Sequence, residues 1–546
     1  MNTMSFSHEP SAATKTNGYS HGRVNGNGSS DAMNHESPSP VMPIAIVGMA
    51  CRFAGAVTSP EKLWDICVEG RDCWSLIPKE RFDATSLHHP NSERPGRHHV
   101  SGGYFLSEDI ALFDASFFNF PADVANAMDP QIRLLLEIVY EATEDAGIPI
   151  EKLAGTNTSV FSGCYGKDYH DQLTRDPEAM PPSFLTGNYT AMMSNRISHF
   201  YNLQGASMSI DTGCSAGLAC LHQACLTIRN RESDVSIVGA SSTMLNPDLF
   251  MAMSNLGMVG VDGRCYAWDE RAQGYGRGEG VAALILKSLD AALRDSDRIH
   301  AVIRDTGLNQ DGRTQSITTP SIDSQVRLIQ QCYRRAGLQL ADTGYVEAHM
   351  TGTQIGDLAE ATALAQTFGA SRNAGADGCE PVLVGSVKTN VGHTEGVSGL
   401  AAIIKAAFAM RRRKIPANQN YEVPNPKIKL DEWKLMVPRS LTSWPVSKPL
   451  RTSINNFGYG GANAHVILEA TPPTGTQTDN DGVKCRPGNI FKKNGSGVFI
   501  ISARDSNVAR TMASNLGTHL QGRMREGSDV PLGDLAYTLA ERRPSG

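Results

Sequence analysis

The sequence lacks the features of a secreted, membrane-spanning or nucleic-acid-binding protein. Its eleven cysteines are odd in number and form no CxxC pair, which argues against both a disulfide framework and a structural zinc site. The N-terminus has no apolar run of the secretory type, and the most apolar stretch, residues 399–410, is too short to cross a bilayer and contains a lysine. A net charge of -6, with no basic patch beyond the RRRK run at 411–414, disfavours binding to nucleic-acid phosphates. We therefore expect a cytoplasmic protein with reduced thiols.

Composition divides the 546 residues into four segments. Residues 1–42 are Ser, Asn, Gly, His and Pro with almost no aliphatic side chains, so we expect a disordered tail that buries too little apolar surface to fold. Residues 43–470 alternate short apolar runs with helical patterns, which is typical of α/β layers with largely parallel sheets. Residues 471–496 have the Pro/Gly-rich composition of a linker. In the remaining residues, 497–546, we predict one strand and two helices, at 498–502, 507–520 and 532–542.

The larger segment contains the elements that place the candidate site. Strands are predicted at 43–48, 159–162, 235–239, 281–287, 301–306, 382–387 and 465–468. Helices are predicted at 129–146, 215–229, 324–336, 357–368 and 399–413. In the first of these helices, Asp129 suits the N-cap and Pro130 the first turn, and apolar residues follow at helical spacing.

Cys214 is the candidate nucleophile. An alternating stretch ends at Asp211-Thr-Gly and a helical pattern follows at once, so Cys214 lies at a strand-to-helix turn. Free backbone N–H groups and the positive end of the helix dipole favour a thiolate at this position. The alternative interpretation is a small buried hydrophobic side chain, which is the usual role of a free cysteine and the one we assign to Cys220 and Cys225.

Two histidines are candidate partners of that thiol. His349 follows a short apolar strand and precedes a Thr/Gly-rich turn, and His393 lies between a buried strand and a Gly-rich entry into the next helix. Loops at strand ends are where open α/β sheets build their sites. One such histidine is more often structural, but two at equivalent junctions make a stronger joint signal. Lys388, five residues before His393, either reaches this loop or lies on the surface.

Other motifs are less specific. The turn at 458–461 exposes backbone N–H groups of the kind that form an oxyanion pocket, although a Gly-rich hairpin has the same pattern. GYGRGEG at 274–280 superficially suggests a dinucleotide-binding loop, but it precedes a strand and no helix follows it, so we reject that interpretation. The pairs His88–His89 and His98–His99 lack metal-ligand spacing on an ordered element, so no metal is assigned.

Together these motifs resemble β-ketoacyl synthases. The segments DTGCSAG, EAHMTGT, KTNVGHTEG and NNFGYGGANAH occur in the order and spacing of that family. PIAIVGMACRF, MDPQIRLLLE, SNRISHFYNLQG, GYGRGEG and NQDGRT narrow the resemblance to the ketosynthase domain of fungal iterative highly reducing polyketide synthases. Over residues 43–470 the resemblance implies a thiolase-like, duplicated five-layer αβαβα fold, usually a homodimer with the active site near the dimer interface.

The resemblance also implies the role of each residue. Cys214 takes an acyl chain from the thioester of an acyl carrier protein or coenzyme A. His349 and His393 assist decarboxylation of a malonyl thioester, whose carbanion attacks the acyl-cysteine. Lys388 orients the His393 region, and the N–H groups of Cys214 and Tyr459 form the oxyanion hole. No cofactor or metal is implied beyond the phosphopantetheine that carries the substrates.

The sequence departs from the family pattern near the candidate site. Gly213 stands where alanine is usual before the cysteine, and Ala216–Gly217 stand where serines are usual after it. Met350 replaces the glycine that normally follows the first histidine, and it would strain the loop or shift His349 if that position needs a positive φ. Tyr459 stands where phenylalanine is common.

Three functions are therefore open. The first is a β-ketoacyl synthase of polyketide secondary metabolism, which condenses an acyl-cysteine with a malonyl thioester. Because the sequence predicts no acyltransferase or carrier domain of its own, we expect it to act in trans, as a stand-alone enzyme, a remnant or an excised piece ending in a truncated adaptor at 497–546. The alternatives are an acyltransferase that does not elongate, and a non-catalytic dimer partner of a full synthase.

Overall fold

The structure is a computed structural model that describes residues 41–91, 94–373, 380–471, 498–503, 505–525 and 531–543. The predicted disordered tail lies outside the described residues except for its last two positions. The predicted linker lies outside them except for residue 471.

Eleven strands of the described chain form one mixed sheet. In chain order these strands are β1 (Ile44–Phe53), β2 (Ser159–Gly163), β3 (Ser207–Ile210), β4 (Val235–Ser242), β5 (Gly280–Ser288), β6 (Ala301–Gln310), β7 (Tyr345–Glu347), β8 (Val382–Gly385), β9 (Leu435–Met436), β10 (Arg451–Phe457) and β11 (Ala462–Glu469). Their order across the sheet is β9-β8-β7-β10-β11-β6-β1-β5-β4-β2-β3. Two short ladders lie apart from it and pair Ser75–Leu76 with Gly102–Gly103 and Lys414–Ile415 with Thr442–Ser443.

The strands run parallel only towards the two edges of the sheet. At one edge β2 is parallel to β3 and β4, and at the other β7, β8, β9 and β10 form parallel pairs. All pairs between these edges are antiparallel. The prediction of largely parallel sheets is therefore right for the edges and wrong for the centre. The central strands are almost wholly buried, so their apolar runs contain no signal of strand direction.

Ten helices of the described chain have eight residues or more. They are α1 (Pro60–Glu69), α2 (Pro130–Asp145), α3 (Met192–Phe200), α4 (Ala216–Arg229), α5 (Asp248–Asn255), α6 (Ile322–Ala336), α7 (Gln354–Leu364), α8 (Ser398–Arg412), α9 (Ser506–Arg525) and α10 (Leu532–Glu541). Shorter helical segments lie at Ala84–Leu87, Ala122–Ala127, Ile150–Leu153, Asp168–Leu173, Pro177–Ala179, Phe184–Asn188, Leu289–Arg294, Leu340–Asp342, Ala365–Gly369, Ala370–Asn373, Lys388–Val391 and Glu395–Val397.

Two central helices separate the two halves of the sheet. Helix α4 packs on β2 and β4, helix α8 packs on β10, and the two helices contact each other. Outside this centre, α2 covers β1, β4 and β5, whereas α6 covers β6 and β11 and contacts α7. Every residue of α8 from Ser398 to Met410 is buried, as expected for a helix surrounded by other layers. This arrangement confirms the predicted five-layer αβαβα fold.

Local signals placed several element ends correctly. Asp129 caps α2, because its Oδ1 accepts a hydrogen bond from the Gln131 N–H at 2.8 Å, and Pro130 is the first helical residue. The predicted helix 357–368 begins earlier, at Gln354, and its end adopts a wider turn at Ala365–Gly369.

In the described part of the C-terminal region there are two helices and no strand. The predicted strand at 498–502 is wrong, because these residues pair with no sheet edge. Helix α10 is attached to the main body through Arg542, whose guanidinium donates to Asp297 Oδ1 at 2.9 Å, and through the ion pair of Arg543 with Glu144 at 2.6 Å. Within the described ranges, no helix is long and apolar enough to span a bilayer.

Candidate active site

Cys214 lies in a tight turn between β3 and α4. The turn needs one residue in the left-handed conformation, and Gly213 adopts it with φ 65°. The Gly213 N–H donates a hydrogen bond to Asp211 Oδ1 at 2.9 Å. The Cys214 side chain is 5% exposed and lines a cavity of about 600 Å³. Two residues later α4 begins, so the thiol lies at the amino end of a buried helix, as the sequence predicts.

The same turn has the spacing Gly-x-Ser-x-Gly around Ser215, which is also the spacing of a serine-nucleophile elbow. The Ser215 hydroxyl is turned away from the cavity. It bonds to Thr212 Oγ1 at 2.9 Å and donates to the Thr212 carbonyl at 3.1 Å. Ser215 therefore stabilises the turn, and Cys214 is the residue that faces the cavity.

Gly213 allows a test of this turn. A Cβ at this position would lie 3.3 Å from Tyr459 Cε1, and the residue that carries it would have to keep the backbone at φ 65°. We expect Gly213→Ala to lower the free energy of unfolding by about 1–2 kcal/mol, the usual cost of a left-handed conformation for a residue with a Cβ. Urea denaturation measures this change. The matched control is Gly460→Ala, because a Cβ there meets nothing within 4 Å. Equal stability of the two variants would contradict this view of the turn.

His349 lies just after β7 and is held by a buried carboxylate of α7. The backbone N–H groups of His349 and Met350 donate to Glu360 Oε1 and Oε2 at 2.9 and 2.7 Å. Asn455 Nδ2 on β10 donates to Glu360 Oε1 at 2.9 Å. Burial raises the pKa of Glu360, and these three donors favour its charged form. No motif in the sequence indicated a role for Glu360; its only signal is that it is an acidic residue on the helix that follows the histidine.

Asp357 fixes the rest of the histidine loop. Its Oδ1 accepts hydrogen bonds from the N–H groups of Thr351, Gly352 and Thr353 at 3.1 to 3.3 Å. Burial raises the pKa of Asp357 to about 7. The sequence placed Asp357 at the start of a helix and assigned it no further role.

Met350 fits this loop without strain. It is not among the non-glycine residues with positive φ, so the expected strain at this position is absent. Its carbonyl accepts a hydrogen bond from Ser386 Oγ at 3.0 Å, and its side chain lines the cavity. The ring of His349 remains close to that of His393, with centroids 5.3 Å apart at 85°, so the departure at Met350 does not displace it.

His393 follows the short helix Lys388–Val391. Its Nδ1 accepts a hydrogen bond from the Glu395 N–H at 3.0 Å, so the neutral ring carries its proton on Nε2. Nε2 is buried and has no hydrogen-bond partner among the residues that the structure describes. The Nε2–H group is therefore free to donate to a bound molecule.

The rejected dinucleotide motif, residues 274–280, instead holds His393. The His393 N–H donates to the Gly276 carbonyl at 2.8 Å, and the Gly278 N–H donates to the His393 carbonyl at 2.8 Å. Arg277 in this segment forms a fully buried ion pair with Glu395 at 3.1 Å. The segment thus fixes the histidine loop although it lies more than 100 residues earlier in the chain, with a separation of 118 residues between Arg277 and Glu395, a contact that sequence spacing does not reveal.

The three predicted residues meet in one cavity. The Cys214 thiol, one ring nitrogen of His349 and one of His393 all lie within 4.8 Å of one another. These are also donor types that zinc accepts, and within the described residues this is the one group of three potential metal ligands that converge. Lys388 is 1% exposed, so its interpretation as a surface lysine is wrong.

Burial controls the charges of the site. Burial, assisted by the Glu395 charge, raises the pKa of Cys214 to about 12, although the Tyr459 N–H, Lys388 and the cysteine's own N–H act to lower it. The expected resting thiolate is therefore wrong: the helix end favours the ionised thiol, but burial opposes it more strongly. Burial and the Lys388 charge also hold the pKa of His349 and His393 well below the ordinary imidazole value. The resting site is a neutral thiol facing two neutral imidazoles.

The remaining predicted positions lie at the edge of the site or outside it. Tyr459 is 44% exposed and lines the cavity beside Gly213. His98 and His99 are buried away from the cavity, where their ring nitrogens lie 3.1 Å from the carbonyls of Val100 and Val259.

Three family profiles match adjoining parts of this chain. Beta-ketoacyl synthase, N-terminal domain, matches residues 42–292, and Beta-ketoacyl synthase, C-terminal domain, matches residues 300–422. Ketoacyl-synthetase C-terminal extension matches residues 424–529. The chain therefore belongs to the β-ketoacyl synthase family, a class of acyltransferases that form carbon–carbon bonds.

Within that family the chain is similar to the ketosynthase domains of polyketide synthases. It is 53% identical, over 95% of its length, to the highly reducing polyketide synthase pks5 of Leptosphaeria maculans, and 54% identical over 80% to the squalestatin tetraketide synthase of Phoma sp.. It spans about one fifth of the length of these curated relatives, 20% and 17%.

Solved ketosynthase structures have the same fold. The ketosynthase from module 6 of the bacillaene synthase of Bacillus subtilis 168 superposes with a TM-score of 0.81 at 33% identity, covering 92% of this chain and 81% of that one. The oxazolomycin ketosynthase domain OzmH KS7 of Streptomyces albus JA3453 gives 0.82 at 33% identity, covering 92% and 84%.

Proposed function

We propose that this chain catalyses decarboxylative Claisen condensation in polyketide biosynthesis, through an acyl group held on Cys214. The observation that carries the proposal is the convergence of one thiol and two neutral imidazoles, supplied by the two halves of the chain, in a single cavity. A thiol at this point can accept and release acyl groups, and two imidazoles beside it can stabilise charge on a substrate oxygen.

The first step is acylation of Cys214. The sulfur attacks the carbonyl of an acyl thioester, the sulfur–carbon bond to the carrier breaks, and the carrier thiol leaves. Because the thiol is neutral at rest, its proton has to move as the bond forms. His393 already carries its proton on Nε2, so His349, one ring nitrogen of which lies within 4.8 Å of the thiol, is proposed as the acceptor that returns the proton to the leaving thiol.

The second step is decarboxylation and condensation. The bond between the malonyl α-carbon and its carboxylate breaks, carbon dioxide leaves, and the electron pair forms an enolate on the thioester. The Nε2–H of His393 donates to the enolate oxygen. The α-carbon then attacks the acyl carbonyl, the bond from that carbonyl to the Cys214 sulfur breaks, and the departing thiolate takes up a proton from solvent to restore the resting thiol. The N–H groups of Cys214 and Tyr459 are proposed to stabilise the oxyanion of this addition.

The proposal extends to substrates and partners. Acyl and malonyl groups would arrive as thioesters on the phosphopantetheine of an acyl carrier protein or on coenzyme A, and the thioester itself supplies the activation, so no cofactor of the chain's own is called for. We propose delivery in trans by a carrier protein or a polyketide synthase, and a homodimer as the working form. Acyl transfer without elongation, the alternative, would leave the free Nε2–H of His393 without a role.

One assay separates these functions. The chain is incubated with an acyl thioester and then with malonyl carrier protein, and both the intact protein mass and carbon dioxide release are recorded. We expect an acyl mass shift, then loss of that shift with carbon dioxide and a β-ketoacyl thioester. Loading without carbon dioxide release would favour the acyltransferase, and failure of both would favour a non-catalytic partner; either outcome contradicts the proposal.

A further inference from the structure

Glu347 is a completely buried carboxylate two residues before His349. It is the last residue of β7, opposite Gly385 of β8 and Ile454 of β10, and its side chain is 0% exposed. A buried carboxylate is costly unless charged or hydrogen-bonded groups compensate it. The partners of its two carboxylate oxygens therefore show how the charge is compensated and which segments it connects.

Its two oxygens bond in different directions. Oε1 accepts a hydrogen bond from the Val387 N–H at 2.5 Å, and Val387 immediately precedes Lys388. Oε2 accepts from the Tyr345 hydroxyl at 2.6 Å and pairs with Lys405 Nζ at 2.9 Å. One side chain therefore connects the strand that leads into His349 to the helix that leads into His393.

Lys405 completes a compact polar cluster in the central layer. It lies in the otherwise apolar helix α8, is 1% exposed, and also donates to the Tyr345 hydroxyl at 3.1 Å. Together with Glu347 these residues form what we call the Glu347–Lys405–Tyr345 cluster. None of the three lines the catalytic cavity, so the reaction proposed above gives them no direct role.

Lys388 is the charged group through which this cluster can act on the reaction. The titratable groups that interact with Lys388 are Glu347, Glu360, Cys265, Cys214, His349 and His393. Burial lowers the pKa of Lys388, and Glu347 is the strongest of the groups that raise it again. The groups that interact with the cluster itself are Lys388 and Cys67. Removing the Glu347 charge should thus let Lys388 lose its proton at lower pH.

We propose that Glu347, held by Lys405 and Tyr345, is a positioning residue for decarboxylation that sets the spacing of the two histidine segments. This inference rests on the proposed function, because it assigns the cluster to the malonyl half of that reaction. It gives acylation of Cys214 no dependence on the cluster.

The test uses an uncharged replacement of the whole pair, Glu347→Gln with Lys405→Met, because removal of one partner alone leaves an uncompensated buried charge. The control is Asp297→Asn with Lys287→Met, a buried ion pair whose members do not line the cavity. The asparagine keeps a side-chain oxygen that can accept the hydrogen bond from Arg542. Tyr345→Phe is measured in parallel, since it removes the hydrogen bonds of the hydroxyl with Glu347 and Lys405 and no charge. Thermal unfolding, acyl loading by intact mass, and carbon dioxide release as a function of pH are recorded for each.

We expect the double variant to load acyl groups as wild type does, and to release carbon dioxide at least about tenfold more slowly, since small displacements at a reacting centre cost up to about 100-fold. In the double variant, the fall of carbon dioxide release at alkaline pH should begin at a lower pH than in wild type. Tyr345→Phe should slow carbon dioxide release severalfold with loading unchanged, and it decides the matter if the double variant does not fold. The inference would be overturned if the double variant released carbon dioxide at the wild-type rate with the wild-type pH dependence. It would also be overturned if Tyr345→Phe left the rate of release unchanged. Absence of release from wild type would instead refute the proposed function.

Discussion

Cys214→Ser should abolish acyl loading from a thioester, with a fall in rate of at least about 10⁴-fold. The hydroxyl of serine is a much poorer nucleophile and leaving group than sulfur, and this cavity offers neutral imidazoles and no strong base to activate it. The substitution removes no packing atom beyond the sulfur and leaves the turn intact, because Gly213 and Ser215 make its hydrogen bonds. Intact-protein mass after incubation with an acyl thioester measures the effect.

The matched control for this prediction is Cys73→Ser. Cys73 is partly exposed and does not line the catalytic cavity, so its replacement should leave loading at the wild-type rate. Loading that survives in Cys214→Ser and disappears in Cys73→Ser would move the nucleophile to a different part of the molecule.

His393→Ala should lower carbon dioxide release by about 10²–10⁴-fold while acyl loading continues. The reason is the hydrogen bond from Glu395 to Nδ1, which leaves Nε2–H as a donor for the enolate oxygen and not as a base for the thiol. His349→Ala should slow acyl loading, because His349 is the proposed proton acceptor for Cys214. Separate assays of loading and of carbon dioxide release distinguish these two patterns.

The exposed His199 provides the control, since His199→Ala should change neither half-reaction.

A pH series adds a second check. Both active-site imidazoles have a pKa well below 6.5, so they stay neutral, and able to act as proposed, as the pH falls through that value. Carbon dioxide release should therefore hold steady across pH 6.5. Wild-type release in His393→Ala would contradict the assignment of His393.

The sequence located the parts of the site that lie at ends of secondary structure. Cys214, His349 and His393 each follow a strand and precede a turn or helix, and that pattern is local. The direction of the central strands was not predictable, because strands buried on both faces look alike whichever way they run. The protonation of Cys214 was predicted wrongly for a related reason: the helix end is visible in the sequence, whereas the depth of burial is a property of the assembled layers.

Buried charged residues were the main omission. Glu360, Asp357 and Glu347 lie near the first histidine in sequence, and Arg277 is almost 120 residues before the loop that it supports. A carboxylate that accepts backbone N–H groups looks in sequence like any acidic residue near a helix start. The only signal for Lys405 was a single charge in an apolar helix, which the sequence analysis used to argue against a membrane span. The ion pair of Lys405 with Glu347 could be recognised only from the structure, because the strand register brings Glu347 within 2.9 Å of Lys405.

Locating the acyl group on the wild-type chain tests the central claim most directly. The protein is loaded with an acyl thioester, digested and analysed by peptide mass spectrometry before and after addition of malonyl carrier protein. The account predicts an acyl group on the peptide that contains Cys214, and its disappearance together with release of carbon dioxide and a product longer by two carbons. An acyl group on another cysteine, or one that stays on Cys214 after malonyl carrier protein is added, would contradict it.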